Sequence, residues 1–154
     1  MTTVLLVDDR KNFRRQVRQL LDVAGGFEVV GEAADGWAAG HIAEMLRPDL
    51  IVMDFNMPRM GGMEATRLIL QQNPRARIVI LTAHAEHAYV ERAAQIGAAG
   101  FLVKHRPELI VAGLQRVASG DQVFPHATEG RAGDVETMPD RVAPQCVAKP
   151  PASA

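Results

Sequence analysis

Five short apolar runs, Val4–Val7, Phe27–Val30, Leu50–Met53, Ile78–Leu81 and Phe101–Val103, alternate with amphipathic segments along the chain. This alternation limits the possible folds more than any other feature. Runs so rich in Val, Ile and Leu, without polar residues at every second place, read as strands buried on both faces. Glu28 interrupts the second run, which puts that strand near an edge of the sheet.

The segments between the runs carry helix signals. Phe13, Val17, Leu20, Leu21 and Ala24 fall on one helical stripe, and Gly25-Gly26 can end that helix. A second helix is predicted from about Asp35-Gly36 to Arg47-Pro48. A third stops at Asn73-Pro74, because proline disfavours helix in the residue before it. The fourth, roughly 85–96, ends at Gly97 and turns small residues, Ala93 and Ala94, inward. The fifth has Pro107 in its first turn, then Ile110, Leu114 and Val117, with Gly120 as its stop. Five strand–helix repeats predict an α/β fold, an open parallel five-stranded sheet covered by helices.

Composition sets the outer bounds. A chain of 154 residues with net charge -1 makes one ordinary domain and carries no basic field, so direct nucleic-acid binding is not expected. No apolar run approaches the ~20 residues of a membrane span, and the N-terminus lacks the pattern of a signal peptide. The expected location is the cytoplasm. The single cysteine, Cys146, cannot form an internal disulfide and reads as an inert thiol. Beyond Gly120 the 34 residues to Ala154 hold five of the nine prolines and one aromatic, Phe124, with no sustained period. They are expected to form a flexible tail, its first few residues docked, with no output domain.

The chemistry gathers at strand ends. Ligands of open parallel sheets bind beyond the carboxyl ends of the strands, where strand order reverses. Asp8 and Asp9 follow the first run, Asp54 the third, Thr82 ends the fourth and Lys104 follows the fifth. In the strand order 2-1-3-4-5 they converge on one rim. Taken singly, an aspartate pair is a solvated loop start or helix cap, and a lysine is a surface charge. Agreement across four strands is the stronger signal. Crowded carboxylates raise one another's pKa, and a divalent cation with hard oxygen ligands, Mg²⁺, relieves that. An ionised carboxylate beside such an ion can attack phosphorus, a reaction that needs positioning and charge stabilisation above all.

"VLLVDDR", "DLIVMDFNMPRMGG", "VILTAH" and "GFLVK" together resemble the receiver domain of bacterial two-component response regulators. The likeness covers residues 1 to about 120. With "GEAADG" and "GAAGFLVKH" it is most similar to the subgroup whose receivers precede a helix-turn-helix DNA-binding domain, which residues 121–154 do not supply. The resemblance implies a flavodoxin-like (βα)5 doubly wound fold. It implies Asp54 as phosphoacceptor, with Mg²⁺ held by Asp8, Asp9, Asp54 and the backbone carbonyl of Asn56. Lys104 would pair with the phosphoryl group, Thr82 would hydrogen-bond it, and small Ala83 would leave it room. Phe101 would be the aromatic that turns inward when Thr82 moves. Pro58 would stiffen the loop after Asp54, and Gly62 would permit its turn into the third helix. The implied partners are a sensor histidine kinase or phosphotransfer protein, and a second copy of the chain on phosphorylation. The implied role is a signalling switch, not an enzyme, that promotes only its own phosphorylation and dephosphorylation. Two departures stand out. Many relatives have a cis Lys-Pro bond where this chain has Lys104-His105, and a cis bond before a non-proline residue costs several kcal/mol. His84 occupies a position that tunes dephosphorylation in relatives.

Other residues have plainer readings. His84 and His87 have ligand spacing but no third partner, so they read as surface or cap residues. Trp37 is expected half-buried, and Met57, Met60 and Met63 as gap fillers. Arg10, Lys11, Arg14 and Arg15 form either a solvated helix face or a surface that greets a kinase. Two other functions fit the same residues: a degenerate receiver acting only as a binding module, and an aspartyl-nucleophile phosphatase. The first predicts a missing acidic or Lys position. The second predicts Asp-x-Asp on the first strand.

Overall fold

In the computed structural model each apolar run becomes a strand and each amphipathic segment a helix. The described residues are 1–84, 86–125 and the backbone of 135–137. The order is β1 (Thr2–Val7), α1 (Lys11–Ala24), β2 (Phe27–Ala33), α2 (Gly36–Leu46), β3 (Leu50–Asp54), α3 (Gly62–Gln72), β4 (Arg77–Thr82), α4 (His87–Gln95), β5 (Gly100–Val103), α5 (Pro107–Ala118), β6 (Val123–Pro125) and β7 (Val135–Thr137). The sheet runs β2-β1-β3-β4-β5-β6-β7, so the predicted order 2-1-3-4-5 is present, with β2 at the edge that Glu28 signalled.

Two short strands extend the predicted five. β6 lies parallel to β5 through the single pair Gly100↔Val123, and β7 returns antiparallel on β6. Gly100 makes room for this, since a Cβ there would sit 2.9 Å from the Val123 carbonyl oxygen. Val123 and Phe124 are buried, so the chain is docked a few residues past Gly120. Two apolar residues show no period, and only the open edge of β5 makes them a strand. Apart from the backbone of β7, the remainder of the expected tail, Cys146 included, lies outside the described residues.

Because side chains alternate across each strand, the sheet faces two cores. Leu5, Val7, Ile51, Met53, Ile78, Ile80 and Phe101 pack beneath α2, α3 and α4. Val4, Leu6, Leu50, Val52, Val79, Leu81 and Leu102 pack beneath α1 and α5. Each fully buried Leu or Ile contributes about 2 kcal/mol. The helices are held unequally. α5 buries Ile110, Leu114 and Val117, whereas α4 buries Val90 with Ala93 and Ala94 only. Trp37 departs from expectation at 62% exposed. The buried positions of α2 are Gly36, Ala39 and Ala43, which leaves the indole outside, edge-on to His41. Met57, Met60 and Met63 pack at the margin of the core as expected.

Candidate functional site

The register of the first, third and fourth strands brings Asp8, Asp54 and Thr82 to one rim. Val7 pairs with Met53 and Asp54 with Leu81, so each residue named stands at or just past a strand's carboxyl end. β5 adds Lys104, whose N–H donates to the Thr82 carbonyl at 2.8 Å. The Lys104 ammonium lies 2.7 Å from Asp8 Oδ2 and 2.8 Å from Asp54 Oδ1. Carboxylate oxygens of Asp8, Asp9 and Asp54 lie within 4.8 Å of one another. Asp8 and Asp54 are buried and Asp9 is exposed. Burial pushes the Asp54 carboxyl above its ordinary value; the Lys104 hydrogen bond opposes this, while the charges of Asp8 and Asp9 add to it. One ammonium cannot neutralise three carboxylates. A cluster of hard oxygens with one open, exposed member fits a divalent cation of the Mg²⁺ type.

The loop after Asp54 is packed against the acceptor strand. The Gly62 N–H donates to the Phe55 carbonyl at 2.9 Å, and a Cβ on Gly62 would fall 2.1 Å from the Asp54 carbonyl oxygen. Glycine is required there because the chain turns into α3 so close to the acceptor strand that no side chain fits. The left-handed residue of the loop is Arg59, at φ 68°. Its guanidinium donates from Nη2 to Asp35 Oδ2 at 2.5 Å, and the Gly36 N–H donates to the Met60 carbonyl at 3.3 Å. Asp35 in turn caps α2 by accepting from the Ala38 N–H at 2.8 Å. The Ala38 N–H, then the Arg59 guanidinium, hold the Asp35 carboxyl below its ordinary value. Asn56 and Pro58 stand exposed in this loop.

On the opposite flank the contacts are apolar or loose. Thr82 is buried and its hydroxyl accepts from the His84 N–H at 3.3 Å. Ala83 and His84 are exposed, as is His87, which lies 3.8 Å from Glu91. Phe101 is wholly buried and faces inward, its ring 6.4 Å from Phe55, which itself lies 4.6 Å from Tyr89 of α4. No cis peptide bond occurs among the described residues, Lys104-His105 included.

Three contributors escaped the sequence reading. Phe13, expected only as part of the apolar stripe of α1, places its ring 4.5 Å below the Lys104 ammonium, a cation–π contact. Arg14 is drawn inward from its basic cluster, and Arg59 reaches Asp35 across the acceptor loop. Helical spacing could have flagged Phe13 as facing the rim. Nothing in the sequence links Arg59 to Asp35.

The response regulator receiver domain matches residues 4–115, most of the chain and all five positions of the cluster. The chain belongs to the response regulator receiver family. Transcriptional regulatory protein DegU of Brevibacillus brevis is 35% identical over 118 residues, covering 76% of this chain and 50% of its own length. Response regulator UvrY of Escherichia coli is 38% identical over 123 residues, covering 79% and 56%. The signal receiver domain of the response regulator NarL from Mycobacterium tuberculosis superposes with a TM-score of 0.73 at 36% identity, covering 77% of this chain and 97% of that one. This receiver therefore spans only about half the length of those two curated relatives. The expected lack of nucleic-acid binding finds no support among them, since DegU is a transcriptional regulatory protein by name. Among the described residues no helix is long and apolar enough to cross a membrane.

Proposed function

We propose that this receiver is a phosphorylation-controlled switch that accepts a phosphoryl group on Asp54 from a histidine kinase or phosphotransfer protein in the cytoplasm. The reading rests above all on Lys104 bridging Asp8 and Asp54 at 2.7 and 2.8 Å, beside the exposed carboxylate of Asp9. The Asp54 carboxylate attacks phosphorus, the new P–O bond forms as the P–N bond to the donor histidine breaks, and the imidazole leaves with a proton. Asp8, Asp9, Asp54 and the Asn56 carbonyl would hold Mg²⁺, which when bound offsets charge on the phosphoryl oxygens. Lys104 then pairs with the phosphoryl group, and the Thr82 hydroxyl turns to donate to it.

The phosphoryl group adds about -1.5 to -2 charge at one point. Bonds from Thr82 and Lys104 that exist only in the modified state would pull the ends of β4 and β5 toward Asp54 on β3. α4 yields first, because little apolar area holds it, and Tyr89 follows through its ring contact with Phe55, while Phe101 already faces inward before modification. The output is a protein contact, self-association among them. All five chemical positions are filled, so nothing favours the degenerate module. Asp54 lies on β3 and the β1 pair is adjacent, which disfavours an aspartyl phosphatase.

Mass spectrometry after incubation with a small phosphodonor and Mg²⁺ tests the reading. Wild type gains about 80 Da, the mass of one phosphoryl group, and Asp54→Asn gains nothing. An unchanged wild-type mass overturns it.

A further inference from the structure

Arg14 sits on the first turns of α1 with its side chain only 15% exposed, although its neighbours Lys11 and Arg15 are exposed. Its Nη1 donates to the Asp8 carbonyl at 2.5 Å and its Nε to Glu32 Oε1 at 2.7 Å. Glu32 lies on β2, next to Ala33, whose carbonyl accepts from the Asp8 N–H at 3.0 Å. The parallel ladder of β1 with β2 ends at Val7↔Ala33, so the Asp8 carbonyl needs a donor from outside the sheet. A guanidinium can serve a carbonyl and a carboxylate together through its planar fork; an ammonium is a single point. Arg18 binds the same Glu32, Nη2 to Oε2 at 2.6 Å, without touching Asp8. Arg18, then Arg14, hold the Glu32 carboxyl below its ordinary value, so the anchor stays ionised at neutral pH.

We propose that Arg14 is a positioning residue for the aspartate couplet: it fixes the backbone of Asp8 against β2 and so sets the aim of the Asp8 and Asp9 side chains toward the cation. The inference rests on the reading of this cluster as a Mg²⁺ site. Groups that orient metal ligands from behind commonly change affinity as much as weak ligands do. Charge alone predicts the opposite sign. Removing a cation beside three carboxylates strengthens their field and tightens cation binding, whereas removing a positioning clamp loosens it. The direction of change therefore separates the two effects.

The test titrates Mg²⁺ into the unphosphorylated full chain and follows the backbone amide signals of Asp8, Asp9 and Asp54. Arg14→Gln and Arg14→Lys each weaken binding about tenfold, the lysine included because it keeps the charge but loses the fork. Arg18→Gln, which loses two hydrogen bonds to the same Glu32, stays within about twofold of wild type. Unchanged or tighter binding in the Arg14 variants overturns the inference, as does an equal loss in Arg18→Gln. Loss of the fold in both Arg14 variants also overturns it, by making the role a structural one. A wild type that shows no Mg²⁺-dependent shifts at all overturns the metal-site reading itself, a result distinct from the others.

Discussion

The two flanks of the acidic rim are built differently. On the side of β1, β2 and α2, charged clamps reach across element boundaries: Arg14 to Asp8 and Glu32, and Arg59 to Asp35 at the start of α2. On the side of β4, α4 and β5, the contacts are a threonine hydroxyl, small alanines and three aromatic rings in file. On the proposed function the first flank would hold the ligands in place and the second would yield when a phosphoryl group arrives.

The largest test of this contrast compares anchoring. Leu114→Ala in α5 removes a fully buried side chain from the better-packed helix and costs about 3 kcal/mol in urea unfolding. Val90→Ala removes the one large buried residue of α4 and costs about 1–2 kcal/mol. Equal costs would show α4 to be held as firmly as α5. Hydrogen exchange sharpens the point, with amides of α4 opening before those of α5.

A middle-sized effect concerns pH. The Asp54 carboxyl titrates above its ordinary value of 3.8, so ionising it weakens the native state. The sign follows by linkage: this contribution is favourable below 3.8 and is lost as pH rises through the higher native value. Asp54→Asn is therefore more thermostable than wild type at pH 7, and the advantage shrinks as pH falls toward 3.8. Mg²⁺ stabilises wild type and leaves the variant nearly unaffected. Glu32 and Asp35 run the other way, their lowered values supporting the fold until acid protonates them. A melting-temperature series over pH, with and without Mg²⁺, reads all of this. An advantage for Asp54→Asn that grows toward acid would reverse the assignment.

The smallest effect is at Arg59. Its ion pair is largely exposed on the arginine side, so Arg59→Ala costs about 0.5 kcal/mol. Arg59→Gly loses the same pair but relieves a left-handed backbone strain of about 1 kcal/mol, leaving stability within about 0.5 kcal/mol of wild type. A glycine variant clearly less stable than the alanine variant would mean that the left-handed backbone at this position stores no strain for glycine to relieve.

Much of this was legible before any coordinates. Uninterrupted runs such as Leu50–Met53 read as doubly buried strands, and Pro74, Pro107 and Gly25 marked helix ends that the structure keeps within a residue or two. Asp8, Asp9, Asp54, Thr82 and Lys104 were visible because each stands at the end of a strand, where side-chain direction follows from the strand itself. Less visible was what depends on a partner distant in sequence. Phe124 was expected at most to dock until the edge of β5 made a strand of its segment, and Trp37 looked half-buried until α2 turned its small residues inward.

Local pattern, then, determined the elements, their order and the chemistry at their ends, because hydrophobic period and chain-breaking residues act over a few positions. Tertiary structure decided which charges meet. The Arg14 fork and the Arg59 bridge depend on distances across the fold, and a long flexible side chain carries no record in the sequence of the direction it takes.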